Sequence, residues 1–148
     1  MIIRPMRPDD VAEVTALEAL ANPHPWSHRQ LAEELTLSQS RVDVAIHQES
    51  GRIAGYLCCW RVVDELHIQN VATHPDFRRQ GVARALLQAA AAQATEATVA
   101  LLEVRAGSAG ALALYTALGF VKTGLRKKYY RPNQEDAVLM QAPIERIG

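Results

Sequence analysis

The stretch Leu66-His67-Ile68-Gln69-Asn70-Val71-Ala72-Thr73-His74-Pro75-Asp76-Phe77-Arg78-Arg79-Gln80-Gly81-Val82-Ala83-Arg84-Ala85-Leu86-Leu87 decides the fold. Leu66 to Ala72 carries Leu66, Ile68 and Val71 and ends at a Pro-containing turn, which predicts a strand. Val82 to Ala94 is dense in alanine and leucine, the strongest helix signal in the chain. Beyond it, Thr98 to Val104 is an almost unbroken apolar run, as expected of a strand covered on both faces. Strand, helix and strand from Leu66 to Val104 form a crossover unit, which should be right-handed with parallel strands.

Upstream, Ile2 to Arg4 reads as a short strand. Pro8-Asp9-Asp10 reads as a helix start, with acidic residues suited to the helix dipole, and Val11, Val14, Leu17 and Leu20 follow at helical spacing. Asn22-Pro23 stops that run. Ser27-His28-Arg29-Gln30 has the form of a capping box, with Leu31 and Leu35 as the apolar stripe of the second helix. Val42 to Ile46 alternates with period two, and Ile53 to Val63 pairs with it across a turn at Glu49-Ser50-Gly51-Arg52. Downstream, Ala109 to Leu118 reads as a short helix ended by Gly119. Phe120 to Tyr130 and Asp136 to Met140 read as two last strands around Pro132-Asn133. The order β-α-α-β-β-β-α-β-α-β-β gives a mixed α/β (α+β) sandwich in which hairpins surround one parallel pair, not a doubly wound sheet.

Composition bounds the function. At 148 residues, the chain is expected to be one domain, 1–148. Sixteen Lys plus Arg balance sixteen Asp plus Glu, which argues against a nucleic-acid or membrane-surface binder. The adjacent Cys58 and Cys59 give no disulfide framework and no metal-ligand spacing, and the five histidines show none either, so no metal is expected. The longest uncharged run, Ala106 to Val121, has 16 residues and three glycines, short of a span of ~18. No signal peptide is read at the start, and a cytoplasmic location is expected.

The loop His74 to Arg84 has the makings of a diphosphate site. Gly81 lets the backbone turn tightly, the following helix offers unpaired N–H groups, and Arg78, Arg79 and Arg84 add charge. There are too few glycines for a dinucleotide fingerprint and no Gly-Lys-Ser/Thr for a nucleotide loop. A tight loop with solvated arginines fits the same residues.

Arg78-x-x-Gly81-x-Ala83 resembles the acetyl-coenzyme A signature, Q/R-x-x-G-x-G/A, of the GNAT superfamily of N-acetyltransferases. Asn70 to Pro75, Leu102 to Ala106, Ala113 to Phe120, Arg126 to Tyr130, Glu135 to Met140 and Pro25-Trp26-Ser27 extend the likeness in collinear order. Together they resemble the RimI-type ribosomal-protein-alanine N-acetyltransferases. The resemblance implies a mostly antiparallel mixed sheet with a splayed central parallel pair and helices on both faces. It implies acetyl-CoA as the acetyl donor. Its diphosphate would lie on Arg79, Gln80, Gly81, Val82, Ala83 and Arg84, with Arg78 beside them. Its pantetheine would run along Val71, Ala72 and Thr73. An N–H near Val71 or Ala72 would hold the oxyanion. Ser108 stands where the family often has asparagine; it can cap the helix starting at Ala109 but reaches less far.

Amide formation from a thioester needs a neutral amine and a leaving thiolate. Glu103 is the only charged residue in Val99 to Val104, at the carboxyl end of a central strand. It could instead pair with Arg105, which shares its face. The resemblance makes Glu103 the base. Leu112, Tyr115 and Leu118 form an i, i+3, i+6 stripe, which fits a core tyrosine; the resemblance makes Tyr115 the acid that protonates the departing sulfur. It also puts Tyr129 and Tyr130 on the groove for the acceptor peptide, where a packed strand with solvated lysines would fit equally. Trp26 and the Pro23-His24-Pro25 turn are expected to shape the opposite wall. The partner implied is the N-terminus of an acceptor protein, with alanine of a ribosomal protein as the best guess. A small amine or lysine acceptor, or a non-catalytic acyl-CoA-binding module, are the alternatives.

Overall fold

The computed structural model describes residues 1–130 and 135–147, without the side chains of Lys128 and Tyr130. Seven strands form one sheet: β1 (Ile2–Pro5), β2 (Ser40–Ile46), β3 (Ile53–Val62), β4 (Glu65–Thr73), β5 (Val99–Arg105), β6 (Val121–Tyr130) and β7 (Glu135–Pro143). Their order is β1-β2-β3-β4-β5-β7-β6, and β4–β5 is the parallel pair while the other neighbours run antiparallel. The helices are α1 (Val11–Ala21), α2 (His28–Glu34), α3 (Val82–Gln93), α4 (Ala109–Ala117) and α5 (Ile144–Ile147).

Two apolar layers sandwich the sheet. On one face, Leu86, Leu87, Ala90 and Ala91 of α3, Tyr115 of α4 and Ile147 of α5 pack with Leu57, Leu66, Leu102, Val104 and Met140. On the other, Val11, Val14 and Leu17 of α1 and Leu31 of α2 pack with Val42, Val44, Tyr56 and Cys58. Fully buried leucines such as Leu17, Leu31 and Leu86 each contribute roughly 1.5–3 kcal/mol through burial. The second layer covers only the β2–β4 half. Beyond β4, that face of β5 carries no buried residue: Val99, Leu101 and Glu103 stay at least partly exposed while Ala100, Leu102 and Val104 are buried. The expectation that this strand is covered on both faces is therefore wrong.

Local signals account for most element ends. Pro8–Asp10 forms a 3-10 turn ahead of α1. The Asp10 carboxylate accepts the Arg7 amide at 2.7 Å and pairs with Arg4, whose guanidinium holds that carboxyl below its usual range. The Ser27 hydroxyl accepts the Gln30 amide at 3.1 Å and the Gln30 side chain accepts the Ser27 amide at 2.8 Å, the expected capping box. Leu31 is buried as expected, but Leu35 ends the helix at 39% exposed. β3 stops at Val62 rather than Val63, because Val63 takes φ 57° in the turn. β7 runs on to Pro143, past the expected Met140, and α5 follows it, unforeseen in a four-residue segment too short for periodicity.

One bulge sets the register of the centre. Cys58 faces Asn70 and Cys59 faces Ile68, so Gln69 has no partner on β3. Ile68 joins the α3 layer and Val71 packs against it, while Ala72 joins the α1 layer. The extra residue thus turns the alternation over partway along β4.

Gly55 on β3 fixes how closely the helix behind the sheet approaches. A Cβ there would lie 2.7 Å from Val82 Cγ1 and 2.8 Å from the Ala72 carbonyl. Gly55→Ala should therefore destabilise the protein by about 1–3 kcal/mol in chemical denaturation, because backbone and the first residue of α3 must move.

Candidate active site

The β4–β5 ladder is short. It pairs Glu65 with Val99 through Ile68 with Leu102, although β4 continues to Thr73 and β5 to Arg105. Past the Gln69 bulge, the edge of β4 facing β5 has no ladder partner on it. Alternate amides and carbonyls of Asn70, Val71, Ala72 and Thr73 are left for a ligand that lies there as an extra strand. The expected splayed pair is present.

At the mouth of the split stands the start of α3. Gly81 is its N-cap with φ 73° and no side-chain cap, and Arg79 before it also takes φ 63°. The amides of Val82, Ala83 and Arg84 have no partner within the helix. Arg78, Arg79, Gln80, Gly81 and Arg84 are exposed, Ala83 is half-buried and Val82 is buried. None of the three arginines makes an ion pair among the described residues. The preceding turn is pinned. Phe77 is buried, with the His47 ring 5.0 Å away and the Arg52 guanidinium 4.8 Å over it, and Arg52 also pairs with Asp76 at 2.9 Å. Open amides, a dipole's positive end and unpaired cations on a fixed turn suit a diphosphate.

Two cavities meet at Glu103. One, of about 330 Å³, lies at the split and is lined by Trp26, Asn70, Val71, Glu103, Ser108 and Tyr115 among others. The second, of about 560 Å³, lies on the sheet face that no helix covers, with Glu65, His67, Glu103, Arg126 and Tyr129 on its walls. Glu103 does not pair with Arg105. Its carboxylate is 3.4 Å from Arg126 Nη1 on β6, whereas Arg105 reaches Glu135 at 3.4 Å. Glu135 also accepts the Gly107 amide at 2.8 Å and so fixes the turn into α4.

Tyr115 is buried, edge-on to Phe120 at 5.6 Å, yet reaches the first cavity, so it is both core residue and lining. Ser108 is the N-cap of α4, but its side chain makes no capping bond, contrary to expectation. Tyr129 is exposed, with the Arg126 guanidinium 5.3 Å over its ring. The Tyr130 side chain lies outside the described residues. Among the described residues, no group of three His, Cys, Asp or Glu is placed to hold a metal ion. No described helix is long and apolar enough to cross a membrane.

Sequence reading misses Glu18 altogether, and it takes in Asn70, Arg126 and Glu135 only as residues of motifs. Arg126 reaches Glu103 from β6, two strands away across β7, a pairing that no local spacing encodes.

A split parallel pair with an open helix N-terminus at its mouth defines a transferase built for an acyl-coenzyme A. The acetyltransferase (GNAT) family model matches residues 11–120. The chain is 34% identical over 139 residues to the [ribosomal protein bS18]-alanine N-acetyltransferase of Escherichia coli K12, covering 91% of this chain and 92% of the relative. It is 31% identical over 157 residues to an N-alpha-acetyltransferase of Sulfurisphaera tokodaii, covering 96% and 92%. The crystal structure of the ribosomal-protein-S18-alanine N-acetyltransferase from Escherichia coli superposes with a TM-score of 0.86 at 31% identity, covering 97% of this chain and 93% of that one. This chain belongs to the acetyltransferase (GNAT) family and is an acetyl-CoA-dependent N-acetyltransferase.

Acetyl-CoA should raise the melting temperature of the native protein, since a preformed site binds only the folded state. Gly81→Val should lose most of that rise. Its Cβ meets nothing within 4 Å, so the strain comes from a β-branched residue at φ 73°, which shifts the amides without disturbing the core. An undiminished ligand-induced shift, measured by thermal denaturation, would remove the loop from the cofactor site.

Proposed function

We propose that this protein transfers the acetyl group of acetyl-CoA to the α-amino group of a protein N-terminus, with the terminal alanine of a ribosomal protein as acceptor. The observation that carries this reading is the place of Glu103: at the end of the strand split, on the wall of both cavities. The named activities of the relatives support the acceptor. Residues 1–148 act in this reading as one N-acetyltransferase domain in the cytoplasm, without direct contact to nucleic acid or membrane.

Donor and acceptor approach from opposite sides. The amides of Arg79 to Arg84, with Arg78, hold the diphosphate, and Val71 to Thr73 hold the pantetheine along the open edge of β4. The thioester then lies in the split. The acceptor comes from the face that α1 and α2 leave uncovered, between Trp26 on one side and Tyr129 and Tyr130 on the other. Ser108, at the mouth of α4, borders the donor side of the cavity.

Glu103 takes a proton from the ammonium or from the attacking amine, directly or through one water. An α-amine has an unperturbed pKa of about 7.7–8.0, so little driving force is needed near neutral pH. The nitrogen bonds to the thioester carbon, and an amide of Val71 or Ala72 receives the charge that develops on oxygen. The carbon–sulfur bond breaks, and Tyr115 gives its proton to the departing thiolate. The products are an N-acetylated terminus and free CoA.

Glu103→Gln should lower turnover on the order of 10²-fold and leave acetyl-CoA binding intact. The loss should deepen at low pH, where more amine is protonated; the pH–rate profile checks this. Stability should change by less than about 1 kcal/mol, since the pair with Arg126 is half-exposed and long. A drop in stability with full turnover per folded molecule would make Glu103 a structural partner of Arg126 instead.

The acceptor is tested with two peptides. One begins with a free alanine and contains no lysine; the other is blocked at its N-terminus and contains one lysine. The first should be acetylated faster. The reverse result would assign a lysine acceptor and leave acetyl transfer standing.

A further inference from the structure

The wall of the first cavity formed by residues 22–26 is a loop, and it is tied to one buried side chain. Glu18 lies on α1 with no solvent exposure at all. Its Oε2 accepts the Trp26 amide at 2.9 Å, Asn70 Nδ2 at 2.8 Å and, more loosely, Asn22 Nδ2 at 3.4 Å. Asn70 Nδ2 also donates to the Tyr56 hydroxyl at 2.7 Å, and burial beside Glu18 holds that phenol well above its usual range. One oxygen therefore ties the loop that carries Trp26 to the β4 residue next to the bulge. Trp26, Asn22 and Asn70 all line the cavity.

The second oxygen holds neither the loop nor Asn70, the bonds to both being made by Oε2. Glu18 Oε1 is buried without a hydrogen-bond partner among the described residues. A buried carboxylate with an unmet oxygen is a poor way to stabilise a core; an apolar side chain of similar volume would generally serve as well or better. What the carboxylate supplies and an apolar residue cannot is a fixed distance between two backbone segments. The first of those segments carries Trp26, one wall of the space into which an acceptor terminus must fit, and the tie sets its distance from β4.

We infer that Glu18 is a positioning residue that sets the width of the acceptor cavity and thereby the preference for a small terminal side chain. The inference rests on the acceptor reading above. Glu18 touches neither reacting group; it acts through the Trp26 loop and Asn70. Loss of the carboxylate frees the loop, widens the cavity and leaves the donor site at α3 untouched.

The test compares Glu18→Ala and Glu18→Gln with Val14→Ala, a buried residue of the same helix that packs into the core beneath α1 and lines neither cavity. Two lysine-free peptides serve as acceptors, one beginning with alanine and one with leucine. For Glu18→Ala, KM for the alanine peptide should rise about tenfold, as expected when two part-buried donors lose a charged acceptor. Glu18→Gln, which keeps an oxygen but not the charge, should raise it about threefold. In both, KM for acetyl-CoA should stay within about twofold and the alanine-over-leucine ratio of kcat/KM should fall about threefold or more. Val14→Ala should lower the melting temperature without changing that ratio. If Glu18→Ala matches Val14→Ala in acceptor KM and in the ratio, the inference is overturned; if Glu18→Ala does not fold, the same comparison between Glu18→Gln and Val14→Ala decides it. A wild-type protein that acetylates neither peptide overturns the acceptor reading and this inference with it.

Discussion

Ile68 and Leu102 are the last residues that join β4 to β5, and the rest of the molecule is arranged around the end of that ladder. Two parallel strands with apolar residues on both sides would normally continue to pair, because each unmade backbone bond in a buried place costs free energy. Here the extra residue Gln69 bends β4 away while β3 keeps hold of it as far as Thr73. β5 in turn stays paired with β7 up to Arg105. The strands are thus held open from their outer edges, and the unpaired backbone is left for a ligand. Gly55 lets α3 come close enough to bring its free N-terminus to the opening.

The loop and helix start that the proposed reading gives to the donor are legible in the sequence because they are local. Gly81, the arginines around it and the alanine-rich helix are contiguous, and their chemistry follows from what a helix start offers any anion. The crossover, the element order and the Ser27 capping box are local in the same sense. The register of β4 is not legible: a bulge adds one residue to a strand that otherwise reads as continuous, and the residues from Asn70 onward change face without any break in composition. The exposed face of β5 is hidden for a related reason. Leu101 and Val99 are apolar whether or not a helix covers them, so composition implies a cover that α1 and α2 do not supply.

The acceptor side is less legible because it is assembled from distant pieces. Glu103 comes from β5, its Arg126 partner from β6, Trp26 from the α1–α2 loop, and the Glu18–Asn70 tie spans 52 positions. The periodicity of α1 shows Val11, Val14, Leu17 and Leu20 as its apolar face, of which Leu20 is exposed at the helix end, and gives no sign that Glu18, next to Leu17 in sequence, is buried. A charged residue on a helix reads as solvent-facing by default, and only the tertiary partners reverse that reading.

This division between local and assembled parts has a functional consequence. In the proposed reading, backbone amides on a strand edge and a helix start hold the donor, and they are present whatever side chains surround them. In the proposed reading, side chains on a loop, a strand end and the far edge of the sheet border the acceptor, and they have contacts of their own: Trp26 with Glu18, and Glu103 with Arg126. In that reading, changing one of those contacts alters one wall and leaves the helix start at Gly81 in place. A fold divided in this way can keep a constant acetyl donor while its acceptor range shifts by single substitutions, because the two sites meet at the strand split and at Asn70 but otherwise draw on different elements.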